Sequence, residues 1–520
     1  MLKHLCRTAG LIAAASILPT LWASSPATTT TTPIKYVVVI FQENNSFDHY
    51  FGTYPNALCP LGTASTPAIC SEYPASGESP FVPLPNTPSV NGITPAVSNA
   101  SAVAPFRLDR SQALTCDNSN AYTVEQNAYN SGAVNLFPNN AGLATGPPTP
   151  CTTDLLMGYY DGNTVTALWN YAQYFAMSDN YFDTEFGVTE EGHQNLIAGS
   201  THTASVATIS GKIANGSIIA NVEAGVDDCV SSTSKTPVVM TNTNVGDLLT
   251  AAGVTWGWFY GDFPQSGPYG TLTPITSAGC LSTPSGNTYN SHYAPFMYYQ
   301  TTSNPGHLPP SSVAAIGTSG DAANHNYALA DFQNALTNGN LPAVTFLKAP
   351  TTETGHPSNS TPLEEQTFLV DTINMLQQSP LWSQMAIFIT YDDSDGWYDH
   401  VMPPIVNQSN DSSNDTLAGS TLLCGTPQAG AFLDRCGYGT RLPLLVISPY
   451  AKQNYVDHAL TDTSSVLRFI EDNWNLGRLG NQSFDALAGT LDGLFDFTDT
   501  PRPGRELILK DSDGTVVTAQ

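Results

Sequence analysis

The chain alternates short, continuous apolar runs with segments whose apolar residues recur at helical spacing. The run at 34–41 (IKYVVVIF) is rich in β-branched residues and lacks the alternation of a half-exposed strand, which is typical of a strand buried on both faces. Three later apolar runs are predicted to be strands of the same sheet, at 344–347, 385–391 and 442–447.

Helical spacing separates these runs. Two segments place apolar residues three or four positions apart: Leu369, Ile373 and Leu376 in the first, and Val466, Phe469, Ile470 and Trp474 in the second. Strands that alternate with helices indicate an α/β fold with a largely parallel central sheet flanked by helices.

Long segments rich in Gly, Pro, Ser, Thr and Asn interrupt the pattern at 53–115, 203–250, 262–340 and 405–440. We expect them to be ordered inserted loops, because structureless loops of this length are uncommon inside a compact domain. The predicted organisation is one catalytic domain over 34–520, with a smaller cap or substrate-entrance region at about 203–340.

The start of the chain has the layout of a targeting segment. Lys3 and Arg7 precede an apolar run at 9–21 and small residues at 23–25. This order predicts a cleaved signal peptide over 1–23 and a Ser-, Thr-, Pro- and Ala-rich linker over 24–33. The apolar run is too short to favour a stable membrane anchor, so we expect a secreted or periplasmic protein.

Charge and cysteine content narrow the function classes. The formal net charge is −27, from 16 Lys plus Arg against 43 Asp plus Glu, which is the opposite of what a phosphate-backbone binder needs. Nucleic acid is therefore excluded as an expected partner. Such a surface loses self-repulsion as the pH falls, which suits an acidic milieu without requiring one.

Cys6 lies in the predicted signal, which leaves eight cysteines for an exported protein. An even number suggests disulfides, and the absence of a CxxC pair argues against a zinc ribbon or thioredoxin chemistry. Other connectivities remain open, but pairing of near neighbours predicts Cys59–Cys70, Cys116–Cys151, Cys229–Cys280 and Cys424–Cys436.

Two predicted strands end in unusually polar sequence. The first runs into Glu43 and Asn44, and the strand at 385–391 runs into Asp392 and Asp393. Open α/β sheets present ligand groups just past the carboxyl ends of their strands, and these hard oxygen donors suit a divalent cation. The alternative is that these residues only cap helices and form turns.

A third candidate is FGVTEEGHQNLIAGS at 186–200, which places Thr189 at a predicted strand-to-helix turn. A hydroxyl there is accessible, although it needs a metal ion or a base to become a nucleophile. The alternative is that Thr189 is an ordinary helix N-cap.

Four segments carry a family resemblance, in the expected order along the chain. ENNSFDHYFG at 43–52 and YDDSDGWYDHVMPP at 391–404 resemble the two signatures of bacterial acid phosphatases and phospholipases C, a phosphoesterase family of the alkaline-phosphatase-like superfamily. RLPLLVISPYAKQNYVDH at 441–458 and TSSVLRFIEDNW at 463–474 are similar to its closing segment.

The resemblance implies an alkaline-phosphatase-like fold and one divalent metal ion, with calcium, magnesium, manganese and iron all open. It implies that five residues bind this ion: Glu43, Asn44, Thr189, Asp392 and Asp393. Thr189 takes the place of the family's Ser or Thr nucleophile, which implies attack on phosphorus and a phospho-threonine intermediate that water hydrolyses.

Three histidines are expected to stabilise phosphoryl oxygens and protonate the leaving group, since imidazole can donate a proton near neutral pH. His193 follows Thr189 by one helical turn, which could bring it to the same face. His292, in SHYAPFMYY, and His356, in ETGHPSNS, lie in segments that resemble the family's His-containing segments.

The chain departs from the family at a few positions. Asn120 stands where the family often carries a His, and this puts one phosphate-contacting or proton-donating role in doubt. Glu190 and Glu191 should repel a phosphate unless they point outward. His49 and His400 lie inside the signatures and are interpreted as supports of the site rather than catalysts.

The leading functional hypothesis is an acid phosphatase that hydrolyses phosphomonoesters. Asp-Asp-Ser-Asp-Gly at 392–396 resembles the acid phosphatase branch of the family more closely than the Asp-Glu-x-Gly-Gly form of the phospholipases C. The alternative is a phospholipase C that cleaves phospholipid head-group phosphodiesters. The expected substrate is thus a small phosphoester or a phospholipid head group. A third possibility is a binding protein that keeps the fold of a hydrolase but has lost the activity. Such a protein would have lost the polar strand ends.

Overall fold

The computed structural model describes residues 29–58, 78, 81–93, 103–140, 146, 151–206, 208–230, 237–281, 289–409, 424, 428–498 and 505–520. The predicted signal over 1–23 and the first part of the predicted linker, to residue 28, lie outside the described residues.

An eight-stranded sheet forms the centre of the protein. In chain order its strands are β1 (Tyr36–Gln42), β2 (Ala176–Ser178), β3 (Trp256–Tyr260), β4 (Asn326–Ala328), β5 (Val344–Lys348), β6 (Met385–Tyr391), β7 (Leu444–Ile447) and β8 (Tyr455–Asp457). Their spatial order is β4-β3-β5-β1-β6-β7-β2-β8. Only the pairs β6/β7 and β7/β2 are antiparallel, so the predicted α/β fold with a largely parallel sheet is confirmed.

Nine α-helices accompany the sheet within the described ranges: Phe47–Phe51, Tyr122–Tyr129, Phe137–Asn140, Thr166–Tyr174, Thr189–Ala198, Val245–Ala251, Leu329–Thr337, Pro362–Gln377 and Thr463–Trp474. The two helices predicted from apolar spacing are the last two. Both begin at a capping box, with Thr361 and Asp462 as the N-cap residues.

Short strand pairs lie outside the central sheet: Phe106–Arg107 with Gly158–Tyr159, Tyr181–Phe182 with Thr461–Asp462, Ile213–Ala214 with Ser217–Ile218, Glu223–Ala224 with Pro237–Val238, and Leu507–Leu509 with Val516–Ala519. No described helix is both long and apolar enough to cross a bilayer.

The range 203–340, expected to be a cap or entrance region, also contributes β3 and β4 to the central sheet. The cause is the sequence of β3, WGWFY, in which every residue is buried. A strand with no solvated face needs cover on both sides, which a strand within a helix-flanked sheet has. The division of the chain into a catalytic domain and a cap remains a prediction.

Three of the four predicted disulfides are present, namely Cys116–Cys151, Cys229–Cys280 and Cys424–Cys436. The fourth, Cys59–Cys70, lies outside the described residues. Cys229–Cys280 and Cys424–Cys436 join positions within the inserted segments, whereas Cys116–Cys151 joins two positions that follow the first of those segments.

Candidate active site

The two polar strand ends meet at one edge of the sheet. β1 and β6 are parallel neighbours with Gln42 opposite Tyr391, so the residues that follow them emerge side by side. The amide N–H of Asn44 donates to Asp392 Oδ1 at 3.2 Å, and the Asn44 side-chain amide donates to Asp395 Oδ1 at 3.1 Å. Main-chain and side-chain bonds thus join the two signatures directly.

Thr189 is the first residue of its helix and not the N-cap, which is Val188 with no side-chain capping bond. Its hydroxyl instead donates to Asp393 Oδ2 at 3.4 Å. The helix lies against the Asp392 backbone at Gly192, where an added Cβ would come within 2.0 Å of the Asp392 carbonyl oxygen. The predicted nucleophile and the predicted metal ligands are therefore brought together.

Among the described residues, three buried oxygens of the predicted ligands have no hydrogen-bond donor: Glu43 Oε2, Asn44 Oδ1 and Asp392 Oδ2. Leaving such acceptors unsatisfied costs free energy, and a hard divalent cation satisfies this kind of oxygen. Ligand atoms of Glu43, His193 and Asp392 also lie within 4.8 Å of one another. Glu43, Asn44 and Asp392 therefore present donor atoms that suit a metal ion, and the full set of five ligands remains a prediction.

Repulsion among the carboxylates adds to this fit. Burial, and then the charge of Asp392, raise the pKa of Glu43 well above its usual range, and Lys348 opposes the shift. Burial and Asp392 likewise raise the pKa of Asp393. A positive charge placed among these groups would relieve both the desolvation and the repulsion.

His193 lies beside Thr189, the predicted nucleophile, and is fully buried. Its Nδ1 donates to the Thr189 carbonyl at 2.8 Å and lies 3.7 Å from Asp392 Oδ2, while its Nε2 has no partner. Burial, and then the charge of Lys348, lower its pKa well below the usual value. An imidazole in this tautomer holds the first turn of the helix through the Thr189 carbonyl, and the expected role of His193 as a proton donor remains a prediction.

His292 and His356 reach the site from two loops. His292, on the 3₁₀ turn Ser291–Tyr293, has its Nε2 3.5 Å from Glu223 Oε1. His356 clusters with Asp117 and Asp395, with ligand atoms within 4.8 Å of one another. Since Asp395 also binds Asn44, His356 belongs to the same edge of the sheet.

Sequence reasoning did not single out four charged residues of this region: Asp117, Glu223, Lys348 and Asp395. Lys348 is the last residue of β5, fully buried, and paired with Glu43 Oε1. The sequence feature that could have identified it is a lysine at the end of a buried apolar strand next to β1. Asp117 and Glu223 had no such signal, because long insertions bring them to the site.

The departures from the family pattern have structural accounts. The Asn120 amide lies close enough to the Asp393 carboxylate to lower the pKa of Asp393 against the effect of burial. Glu190 and Glu191 are buried rather than outward-pointing, and Glu191 forms an ion pair of 2.8 Å with Arg435. Glu190 Oε1 accepts from Gln194 at 2.8 Å, and burial raises the pKa of Glu190 well above its usual range. Arg435 therefore offsets the charge of Glu191, and burial disfavours the charged form of Glu190, so both effects reduce the expected repulsion.

His49 and His400 support the backbone of the two signatures. His49 is buried, stacks on Trp397 at 3.7 Å between ring centres, and donates from Nδ1 to the Gly158 carbonyl at 2.8 Å. Burial lowers its pKa to about 3. His400 Nδ1 lies 2.7 Å from Asp48 Oδ2, which in turn is part of a buried pair with Arg441.

The sequence and the fold of this chain are similar to those of several known proteins. The model of the Phosphoesterase family matches residues 34–477. The non-hemolytic phospholipase C of Burkholderia pseudomallei is 26% identical over 450 residues, which are 85% of this chain and 55% of that protein. Phospholipase C A of Mycobacterium tuberculosis is 24% identical over 506 residues, 95% of this chain and 83% of that protein.

The chain spans 55% and 58% of the lengths of the non-hemolytic phospholipases C of Burkholderia pseudomallei and Pseudomonas aeruginosa. Similar solved structures include an alkaline phosphatase superfamily protein from Vibrio parahaemolyticus, 12% identical, with a TM-score of 0.28 over 66% of this chain and 67% of that one. Murine ectonucleotide pyrophosphatase/phosphodiesterase 5 is 14% identical, with a TM-score of 0.30 over 64% of this chain and 95% of that one.

Proposed function

Because the chain belongs to the Phosphoesterase family, we propose that it is a phosphoric-ester hydrolase, and specifically an exported, metal-dependent phosphodiesterase of the phospholipase C type with Thr189 as nucleophile. The named relatives are phospholipases C, which favours this reading over the acid phosphatase expected first. The three disulfides support an oxidising compartment.

The observation that carries the proposal is the meeting of Thr189 Oγ1 with a carboxylate cluster that contains three buried oxygens without donors. A binding protein on a retired scaffold has no need to keep such costly groups buried. Five residues would hold a divalent cation there: Glu43, Asn44, Thr189, Asp392 and Asp393. When bound, that cation supplies positive charge that favours ionisation of the hydroxyl and offsets charge on the phosphoryl oxygens.

The chain's own groups supply the remaining chemistry. Thr189 Oγ attacks phosphorus as its proton moves toward Asp393 Oδ2, and the alcohol departs. We assign to His292 and His356 the protonation of that alcohol and the orientation of the water that hydrolyses the phospho-threonine. His292 Nε2 lies 3.5 Å from Glu223 Oε1, and a ring nitrogen of His356 lies within 4.8 Å of carboxylate oxygens of Asp117 and Asp395. His193 holds the Thr189 backbone through its carbonyl.

The experiment compares hydrolysis of p-nitrophenyl phosphorylcholine and p-nitrophenyl phosphate by the wild type, Thr189→Ala and Thr189→Ser, before and after chelation. We expect preference for the diester, loss of at least about 1,000-fold in kcat for the Ala variant, and partial retention by the Ser variant. Chelation should abolish turnover, and a divalent cation should restore it.

Thr372→Ala, at a buried threonine on the helix Pro362–Gln377, is the matched control and should keep wild-type turnover. Unchanged activity of Thr189→Ala would refute the nucleophile. Preference for the monoester would support an acid phosphatase instead, as the Asp-Asp-Ser-Asp-Gly segment at 392–396 suggests.

A further inference from the structure

Lys348 is a buried cation within the candidate site. Its Nζ pairs with Glu43 Oε1 and lies 4.6 Å from the ring centre of Tyr293 and 5.5 Å from that of Phe41. A buried ammonium group loses its hydration, and its retention requires a charged partner. Here that partner is a predicted metal ligand.

Glu43 presents its two oxygens to different neighbours. Oε1 contacts Lys348, whereas Oε2 has no hydrogen-bond donor. The lysine therefore offsets the charge of Glu43 without occupying the oxygen that fits a cation. The positive charge of Lys348 also affects other groups of the site, because it contributes to the lowered pKa of His193.

Charge at this edge is otherwise strongly negative. Four buried carboxylates converge on it, from Glu43, Asp392, Asp393 and Asp395. A divalent cation offsets two of these charges if all are ionised, and a phosphate ester brings further negative charge. The buried arginines Arg435 and Arg441 are paired elsewhere, with Glu191 and with Asp48 and Asp399.

We propose that Lys348 is a positioning residue that acts through Glu43: its fixed positive charge limits the negative charge of the cluster and so allows a phosphate ester to bind beside the cation. The inference rests on the proposed function and extends it to the control of anion binding. If Lys348 were only structural, its replacement would change the affinities for the divalent cation and for phosphate together. The proposal predicts instead that the two affinities change in opposite directions.

The test measures two affinities by isothermal titration calorimetry, without turnover. The first is for the divalent cation that best restores wild-type activity after chelation, and the second is for inorganic phosphate with that cation present. In Lys348→Gln, which keeps a hydrogen-bond donor but loses the charge, we expect the cation to bind about threefold to tenfold more tightly. Inorganic phosphate should bind at least about tenfold more weakly.

Lys348→Arg keeps the charge and should bind inorganic phosphate within about threefold of the wild type. Lys452→Gln is the matched control, because Lys452 also lies over a tyrosine ring, 4.4 Å from the centre of Tyr455, but follows β7 at the opposite end of the sheet. It should change neither affinity.

Equal phosphate affinity in the Gln and Arg variants would overturn the proposal, and so would a Gln variant whose two affinities fall together. If Lys348→Gln does not fold, a large loss of phosphate affinity in a folded Lys348→Arg overturns it as well. Failure of the proposed function is distinguishable, because the wild type would then show no cation-dependent phosphate binding.

Discussion

Two residues of the site adopt left-handed backbone conformations, Asn44 with φ 56° and Asp395 with φ 53°. Non-glycine residues rarely do so, and Asn and Asp are the types that tolerate it best. The left-handed conformation of both residues lets the Asn44 side-chain amide donate to Asp395 while the Asn44 main-chain amide donates to Asp392. Local strain is thus found where the two signatures must lock together.

Asn120 offers the sharpest residue-scale test of how this chain differs from its family. A protonated imidazole placed beside Asp393 could pair with the additional negative charge that a phosphomonoester carries relative to a diester, whereas the present amide cannot. Asn120→His should therefore raise monoester turnover relative to diester turnover by about tenfold at pH 5 to 6. Rates for p-nitrophenyl phosphate and p-nitrophenyl phosphorylcholine measure the ratio.

Asn120→Gln keeps an amide and serves as the control, with no change of the ratio expected. If the His and Gln variants shift the ratio alike, the missing imidazole is not what sets substrate preference.

At the scale of elements, the site depends on the order of three neighbouring strands, β5, β1 and β6. Their carboxyl ends supply Lys348, Glu43 with Asn44, and Asp392 with Asp393. The helix Thr189–Ala198 then brings the proposed nucleophile to this edge, with Gly192 allowing close contact with the Asp392 backbone. The order of the strands therefore brings these charged side chains together. The contact at Gly192 sets how closely the Thr189 hydroxyl approaches them.

The Asp48–His400 pair links the helix Phe47–Phe51 to the loop after β6 and gives a pH-dependent prediction. Burial alone would lower the pKa of His400, but its hydrogen bond to Asp48 and the charge of Asp48 outweigh burial and raise it. A raised pKa means that the stabilisation is fully present below the unfolded value of about 6.5 and is lost as pH rises through the folded value.

We expect His400→Gln to lower the free energy of unfolding by about 1 kcal/mol at pH 5.5 and by less at pH 8.5. Urea denaturation at the two pH values measures this difference. His458→Gln removes a more exposed His–Asp pair and should cost less at either pH. A cost of His400→Gln that grows with pH would contradict the account.

Elements with strong local patterns could be predicted, and elements defined by their neighbours could not. β1 and β6 are continuous apolar runs, and the helices Pro362–Gln377 and Thr463–Trp474 have regular apolar spacing. The strand β2 has three residues, AMS, and its strand conformation depends on pairing with β7 and β8. Strand-end ligands were predictable for the same reason as their strands, whereas Glu223 and Asp117 reach the site through long insertions.

For the whole molecule, inserted segments and disulfides hold parts of the site that the sheet does not. Cys116–Cys151 anchors the segment that carries Asn118, whose backbone and side-chain N–H groups both donate to Asp395 Oδ2 at 3.1 Å. Asn120 belongs to the same segment. Opening this bridge should therefore disturb the carboxylate cluster as well as stability.

The double variant Cys116→Ser/Cys151→Ser should lose about 3–4 kcal/mol of unfolding free energy, from a bridge that spans 35 residues. Turnover should fall at least about tenfold at a temperature where the variant is still folded. Cys229→Ser/Cys280→Ser, which opens a bridge spanning 51 residues, is the control for a comparable loss of stability. Equal losses of turnover would contradict a specific role for the first bridge.

The central claim is that Thr189 Oγ attacks phosphorus beside the cluster of Glu43, Asn44, Asp392 and Asp393. The most direct measurement is rapid acid quenching during turnover of p-nitrophenyl phosphorylcholine, followed by peptide mass spectrometry to locate any covalent phosphoryl adduct. We predict a phosphorylcholine or phosphate adduct on Thr189 that requires the divalent cation and is absent from Thr189→Ala. A fully active enzyme that accumulates its adduct on another residue would contradict the account.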